Sequence, residues 1–153
     1  DFQDFQSHGE LRALRYQQHW ERLAFQTTGS LSAPAQRMED FIQGILSADL
    51  PMNSYLPGLV SAQISEVLSS QVHQRIKEAL IVLGKKMKAF RTNDAILVGV
   101  ESRTSSPIRI PRDSSMLNHP QIGNLFPCGE GAGYAGGIMS AALDGIRVAQ
   151  AVK

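Results

Sequence analysis

The sequence has one cysteine among 153 residues, so it cannot form an internal disulfide. No apolar run approaches the roughly 18 to 20 residues that a membrane-spanning helix requires. The charge is balanced, with 15 basic and 14 acidic residues, which disfavours a role at nucleic acid or at a membrane surface. We also find no signal-peptide pattern, and together these features predict a cytoplasmic protein that binds neither nucleic acid nor membrane.

Motifs for metal binding or hydrolysis are absent as well. The four histidines, His8, His19, His73 and His119, lie far apart and show no metal-ligand spacing, so we assign no metal. The sequence contains no G-x-S-x-G hydrolase elbow. Cys128 has no partner cysteine for redox chemistry, and we expect it to be a small buried side chain. The catalytic residues therefore stay unknown.

Residues 1–93 show mainly helical patterns. The spacing of apolar residues predicts helices over about 9–25, from Ser32 to about residue 46, over 61–68 and over 71–90. Pro34 suits the first turn of the second helix, where its missing N–H costs nothing. Ser61 and Ser70 are predicted to cap the third and fourth helices.

Residues 94–153 read as strand, loop, strand and helix. The continuous apolar run 95–100 predicts a strand covered on both faces. Residues 108–112 alternate like a short, half-exposed strand, and 125–128 form the last predicted strand. The helical pattern from 135 to about 152 contains small residues that suggest close packing against a sheet. The fold class is therefore predicted to be α+β, in two parts, 1–93 and 94–153.

A glycine-rich stretch precedes the last helix, with five glycines in the nine residues from Gly129 to Gly137. Residues 131–136 match the spacing G-x-G-x-x-G between a predicted strand and a helix, the usual context of a dinucleotide fingerprint. However, no second strand and no acidic residue follow about twenty positions later, so we expect no self-contained Rossmann nucleotide site. The bare backbone and the helix N-terminus still predict that something flat or charged approaches closely.

Glu130 lies at the end of the last predicted strand and just before this helix. Its carboxylate could accept hydrogen bonds from sugar or ribityl hydroxyls. It could equally only complement the positive end of the helix dipole. Local chemistry leaves both interpretations open.

The segment 103–106 supplies one guanidinium and three hydroxyls directly after the predicted buried strand. Ligands collect at strand ends in open α/β sheets, but an ordinary polar turn explains the same composition. Arg109 and Arg112 could meet phosphate or carboxylate groups, although arginines are more often simply on the surface.

Residues 98–110 and 127–146 resemble the C-terminal part of the bacterial-type FAD-dependent dehydrogenases, which are often labelled NAD(FAD)-utilising dehydrogenases. Residues 33–36, 40–41 and 54–58 resemble the inserted region of the same family. Full-length members have an N-terminal Rossmann segment that holds the ADP half of FAD, then an inserted domain, then a return to the FAD domain. The resemblance implies that 1–93 is the helical part of the inserted or substrate domain. Residues 94–153 would then be the C-terminal completion of an FAD/NAD(P)-binding, Rossmann-like domain.

The resemblance also implies a site. Glu130 would contact the ribityl or pyrophosphate region, and residues 131–138 would lie at the flavin, with the helix N-terminus facing its N1/O2 edge. Residues 103–106 would line the ring or substrate side. The implied FAD-binding residues are Glu130, Gly131, Ala132, Gly133, Tyr134, Gly136, Gly137, Ile138, Arg103, Thr104, Ser105 and Ser106. NAD(P)H is a candidate electron donor.

We therefore expect the C-terminal fragment of an FAD-dependent oxidoreductase, inactive alone and with an unknown small-molecule substrate. Its partner would be the missing N-terminal part of the same protein, and the isolated fragment would expose apolar surface and self-associate. One alternative is a non-enzymatic helical interaction module with a degenerate nucleotide-binding tail. Another is a free-standing anion or nucleotide binder.

Overall fold

The computed structural model describes residues 2–102 and 105–152, which adopt an α+β fold, as predicted. The described residues form two compact units, the first comprising 18–102 and the second 2–17 with 105–152. In chain order the elements are a 3-10 segment Phe2–Leu11, α1 Arg12–Thr28, β1 Ala33–Arg37, α2 Met38–Gln43, β2 Leu59–Ser61, a 3-10 turn Ile64–Glu66, α3 Ser70–Lys86, β3 Ile96–Val98 and α4 Ile138–Ala151. None of the helices in this described part is both long and apolar enough to cross a membrane.

The sheet of the first unit has three strands in the order β2-β1-β3. Strand β1 runs parallel to β2, with Ala33 opposite Leu59. It runs antiparallel to β3, with Gln36 opposite Leu97. The central strand therefore comes from a segment that the sequence pattern assigned to a helix.

That helix prediction over 32–46 is wrong in its first part. Pro34 lies in β1, where its carbonyl accepts a hydrogen bond from the Gly99 amide at 2.9 Å. The helical spacing begins only at Met38, and α2 ends at Gln43, followed by the C-cap Gly44, which adopts the left-handed conformation with φ of 75°. Residues 33–37 form a strand instead, because they pair with two neighbouring strands.

The core of the first unit lies between the sheet, α2 and α3. Its most buried side chains include Phe41, Ile64 and Val67, against which Ile76 and Leu80 of α3 pack. Gln36 is also buried, but its amide is fully used. It donates to the Ile45 carbonyl and the Gln63 side chain, and it accepts from the Ile64 amide at 3.0 Å. A buried amide satisfied in this way fixes the loops to the strand at little cost.

The helix predicted over 71–90 is confirmed as α3, with small changes at both ends. Ser69, rather than Ser70, is the N-cap, since its hydroxyl accepts from the Val72 amide at 3.3 Å. The helix predicted over 61–68 is only the 3-10 turn, and Ser61 lies in β2. The first predicted helix is confirmed as α1, preceded by the 3-10 segment with its kink at Gly9, φ 53°.

Four predictions for the second half are wrong. β3 forms within 95–100, but it is an edge strand with Val98 exposed, not a strand covered on both faces. Residues 108–112 and 125–128 do not form strands. Ala142 and Ala149 of α4 are exposed, so the prediction of close packing does not hold for these two small residues. The first compact unit extends to residue 102 and includes β3. The assignment of residues 1–93 and 94–153 to functional domains stays a prediction.

Candidate functional site

The glycine-rich stretch of the second unit folds into a tight turn ahead of α4. The amide of Gly133 donates to the Glu130 carbonyl at 2.9 Å, and that of Tyr134 donates to the Gly129 carbonyl at 3.0 Å. Gly129 adopts a left-handed φ of 68°, which glycine tolerates best. These bonds present Glu130 and Gly131 at the exposed tip of the turn.

The other side of this turn is attached to residues 108–110. The Ile110 amide donates to the Ala132 carbonyl at 3.1 Å, and the Tyr134 hydroxyl donates to the Ile110 carbonyl at 2.8 Å. At Gly133, φ is 81° and a Cβ atom would lie 2.6 Å from the Ile108 carbonyl oxygen. Only glycine allows the two backbones to approach this closely.

An ion pair between Arg112 and Asp144 holds the start of the turn. The guanidinium donates to both carboxylate oxygens at 2.9 Å and also to the Pro127 carbonyl at 2.9 Å. Asp144 accepts a further hydrogen bond from the Gly129 amide at 2.9 Å. The hydrogen bonds from Arg112 hold the pKa of the Asp144 carboxyl below its usual value, so the carboxylate stays charged at neutral pH.

A cavity of about 420 Å³ brings together four of the predicted site residues. Ser105, Ser106, Glu130 and Gly131 line it, together with Pro107, Leu14 and Gln17. The Ser106 hydroxyl donates to the Ile108 carbonyl at 2.8 Å, which fixes its position. The structure thus brings Ser105 and Ser106 together with the tip of the glycine-rich turn.

The remaining predicted residues lie elsewhere. Ala132 is buried and Gly133 contacts backbone, so both serve the turn itself, whereas Tyr134 lines a different cavity. Gly136, Gly137 and Ile138 lie at the exposed start of α4. Arg103 and Thr104 lie outside the described residues. Cys128 is exposed, so the prediction that it is buried is wrong.

The cavity residues suit the hydroxyl-bearing part of a cofactor such as FAD. Glu130 is exposed, and within the described part of the chain its carboxylate makes no hydrogen bond, so it is available to accept one. A carboxylate pairs well with ribityl hydroxyls and poorly with a negatively charged pyrophosphate. No atom lies within 4 Å of the position that a Cβ on Gly131 would take, so the backbone there is open to a ligand. The same described residues contain no cluster of acidic, histidine or cysteine side chains that would hold a metal.

The N-terminus of α4 adds a second feature that suits an electron-rich group. The first N–H groups of a helix have no acceptor within the helix, and they carry its positive dipole end. Here Gly137 is the N-cap, and its own amide donates to the Ser140 hydroxyl at 3.1 Å. Residues 138–140 of the first turn are exposed, so this end of the helix is open to solvent.

Comparison with known proteins identifies the family of the chain. A family model described as "FAD-dependent protein, C-terminal domain-like" matches residues 1–104. The chain therefore belongs to this family of FAD-dependent proteins, which confirms the FAD-dependent part of the resemblance. The glycine-rich turn lies beyond the matched residues, so the match identifies the family and leaves the individual contacts to FAD untested.

A relative from Clostridium beijerinckii, described as an uncharacterized protein, is 42% identical over 151 residues. The alignment covers 97% of this chain but only 28% of the relative. The chain thus spans less than a third of the length of the relative that it matches.

Sequence reasoning missed several residues of this site. The sequence shows Asp144 only as part of a helical pattern and of the segment that resembles the family. It shows Leu14 and Gln17 only as part of a predicted helix that is far from Glu130 in the chain. The pairing of Arg112 with Asp144 spans 32 residues. Neither a motif nor a periodicity links them, and only the charges of opposite sign could have suggested it.

Proposed function

We propose that this chain is the C-terminal part of a longer FAD-dependent oxidoreductase of the NAD(FAD)-utilising dehydrogenase type. The observation that carries the proposal is the cavity in which Ser105 and Ser106 meet Glu130 and Gly131, in a chain of an FAD-dependent family. FAD would supply the electron-accepting chemistry. Glu130 and the serine hydroxyls would hold the ribityl chain, and the α4 N-terminus would face the electron-rich edge of the ring.

The rest of the proposal draws on the resemblance and on the length of the relative, of which the alignment covers 28%. Residues beyond this chain would hold the ADP half of FAD, so the chain alone would bind FAD weakly and be inactive. A cytoplasmic location belongs to the same proposal. NAD(P)H as electron donor stays a prediction that depends on the resemblance alone, and the substrate is unassigned.

Glu130→Ala in the full-length protein is expected to weaken FAD binding by about 1–3 kcal/mol, because hydrogen bonds to a charged acceptor are lost. Titration of the apoprotein, followed by the quenching of flavin fluorescence, measures the change. Glu78→Gln on α3, in the other compact unit, is the matched control and should leave affinity unchanged. Equal affinity of Glu130→Ala and wild type would remove Glu130 from the site, and a full-length protein without any flavin absorbance would overturn the proposed function.

The exposed face of α4 supports the proposal that the rest of the polypeptide covers it. Ile138 and Met139 are 91% and 70% exposed, and Leu143 and Ile146 follow at helical spacing and are also exposed. Apolar side chains that are exposed in a contiguous patch mark an interaction surface. In the isolated chain the same face should drive self-association.

Leu143→Glu is expected to convert self-associated chain to monomer, since a charge on the α4 face opposes its burial. Sedimentation equilibrium of the isolated chain measures the effect. Val82→Glu, at an exposed apolar position of α3, is the control and should leave the association unchanged. A wild-type chain that is already a monodisperse monomer at all concentrations would contradict the proposed interface and favour an autonomous domain.

A further inference from the structure

A second cavity of the second unit lies apart from the proposed cofactor contacts. It measures about 560 Å³, and its lining shares no residue with the cavity at Glu130. Three arginines contribute to it, Arg109, Arg112 and Arg147, together with Tyr134 and Ser114. A cavity with this many guanidinium groups is suited to negatively charged ligands.

Contacts among its own side chains hold one wall of this cavity. The guanidinium carbons of Arg109 and Arg112 lie 4.3 Å and 3.7 Å from the centre of the Tyr134 ring. The ring is held in turn by the hydrogen bond from its hydroxyl to the Ile110 carbonyl. Contacts between guanidinium groups and an aromatic face stabilise this arrangement, so the wall is formed before any ligand binds.

The three arginines of the cavity differ in whether a carboxylate neutralises their charge. Arg112 is paired with Asp144 through two hydrogen bonds. Arg109 and Arg147 are exposed, and within the described residues neither makes an ion pair, although Arg147 is close enough to Asp144 to contribute to its lowered pKa. Asp113 also lines the cavity, but its carboxylate already accepts from the amides of Ser115 and Met116.

We propose that this cavity binds a small molecule bearing an oxyanion, a phosphate or a carboxylate, through Arg109 and Arg147. Arg112 and Tyr134 would form the fixed wall, and Ser114 would offer a hydroxyl. Arginine recognises both oxyanions with two parallel hydrogen bonds, so the two ligand classes share the same chemistry at this site. The inference does not depend on the FAD site, because the cavity and its charges lie on other residues.

The test is calorimetric titration of the chain with inorganic phosphate, pyrophosphate and citrate, with an uncharged polyol as the negative probe. Saturable binding of at least one anion is expected. The anion that binds most tightly of the three shows whether the ligand class is a phosphate or a carboxylate. Arg109→Gln and Arg147→Gln should each weaken it about tenfold, the order for one lost hydrogen bond to a charged group. Arg75→Gln on α3 is the matched control and should change nothing.

Two further measurements keep the result interpretable. Arg147→Lys retains the charge, and it should keep part of the affinity lost in Arg147→Gln if the variants fold alike by circular dichroism. Full-length protein saturated with FAD should still bind the anion. Binding of none of the three anions, unchanged affinity in both glutamine variants, or loss of anion binding on FAD saturation would each overturn the proposal.

Discussion

Asp144→Ala is expected to lower the free energy of unfolding by about 3–5 kcal/mol, the range for breaking a buried ion pair. The side chains of Arg112 and Asp144 are only 6% and 12% exposed, so the substitution leaves a guanidinium without its partner in a poorly solvated place. The Gly129 amide loses its acceptor as well. Urea denaturation of the chain, followed by circular dichroism, measures the effect.

Asp49→Ala is the matched control for this substitution. Asp49 also pairs with an arginine, Arg37, at 2.8 Å, but its side chain is 79% exposed. Exposed ion pairs contribute about 0–1 kcal/mol, because water screens the charges and holding the side chains costs entropy. If Asp144→Ala proved no more destabilising than Asp49→Ala, the ion pair of Arg112 would not hold the turn.

The same ion pair gives stability a defined dependence on pH. Because Arg112 lowers the pKa of Asp144 in the folded state below its usual value of 3.8, the carboxylate stabilises the fold fully above that value. The contribution is lost as pH falls below about 4 through the folded-state pKa. Glu39 and Asp113 also have lowered pKa values, so the difference between wild type and Asp144→Asn, measured from pH 7 to 2, isolates Asp144.

Gly133→Ala should destabilise the second unit by about 3–5 kcal/mol, the sum of a strained backbone conformation and a steric overlap. The residue has φ of 81°, and the new Cβ would lie 2.6 Å from the Ile108 carbonyl oxygen and 3.0 Å from the Arg109 Cα. The Ile108 backbone is fixed by neighbouring hydrogen bonds and cannot move away freely. Thermal unfolding and urea denaturation both measure the loss.

Gly129→Ala separates the two causes. It has a similar φ of 68°, but the nearest atom to its Cβ would be 4.0 Å away. It should therefore cost only the left-handed conformation, about 1–2 kcal/mol. Equal losses at Gly129 and Gly133 would show that the close backbone approach at Gly133 does not matter.

The sequence predicts the helices of this protein where apolar residues repeat at helical spacing over several turns. Seventeen residues of α3 and fourteen of α4 repeat apolar side chains at helical spacing, and serine or glycine marks their starts. A short segment is different. Residues 33–37 offer too few turns for periodicity to decide, and the strand forms there because β2 and β3 provide hydrogen-bonding partners.

The strands predicted at 108–112 and 125–128 do not form, which again shows that a short local pattern does not decide strand formation. Their apolar patterns are typical of strands, but a strand forms only where a neighbouring strand pairs with it. In the structure, Ile110 bonds to the glycine-rich turn, and Arg112 binds the carbonyl of Pro127. Both segments thus hydrogen-bond to the turn and its neighbours instead of pairing as strands.

The sequence by itself determined the fold class, the long helices and a glycine-rich stretch ahead of the last helix, because these depend on residue type and local spacing. Tertiary structure alone decided which side chains meet. It brought Ser105 and Ser106 into one cavity with Glu130, paired Arg112 with Asp144 and brought three arginines into one cavity with Tyr134. The physical reason is that such contacts join residues far apart in the chain, and their free energy comes from burial, charge pairing and hydrogen-bond geometry, which a linear pattern does not contain.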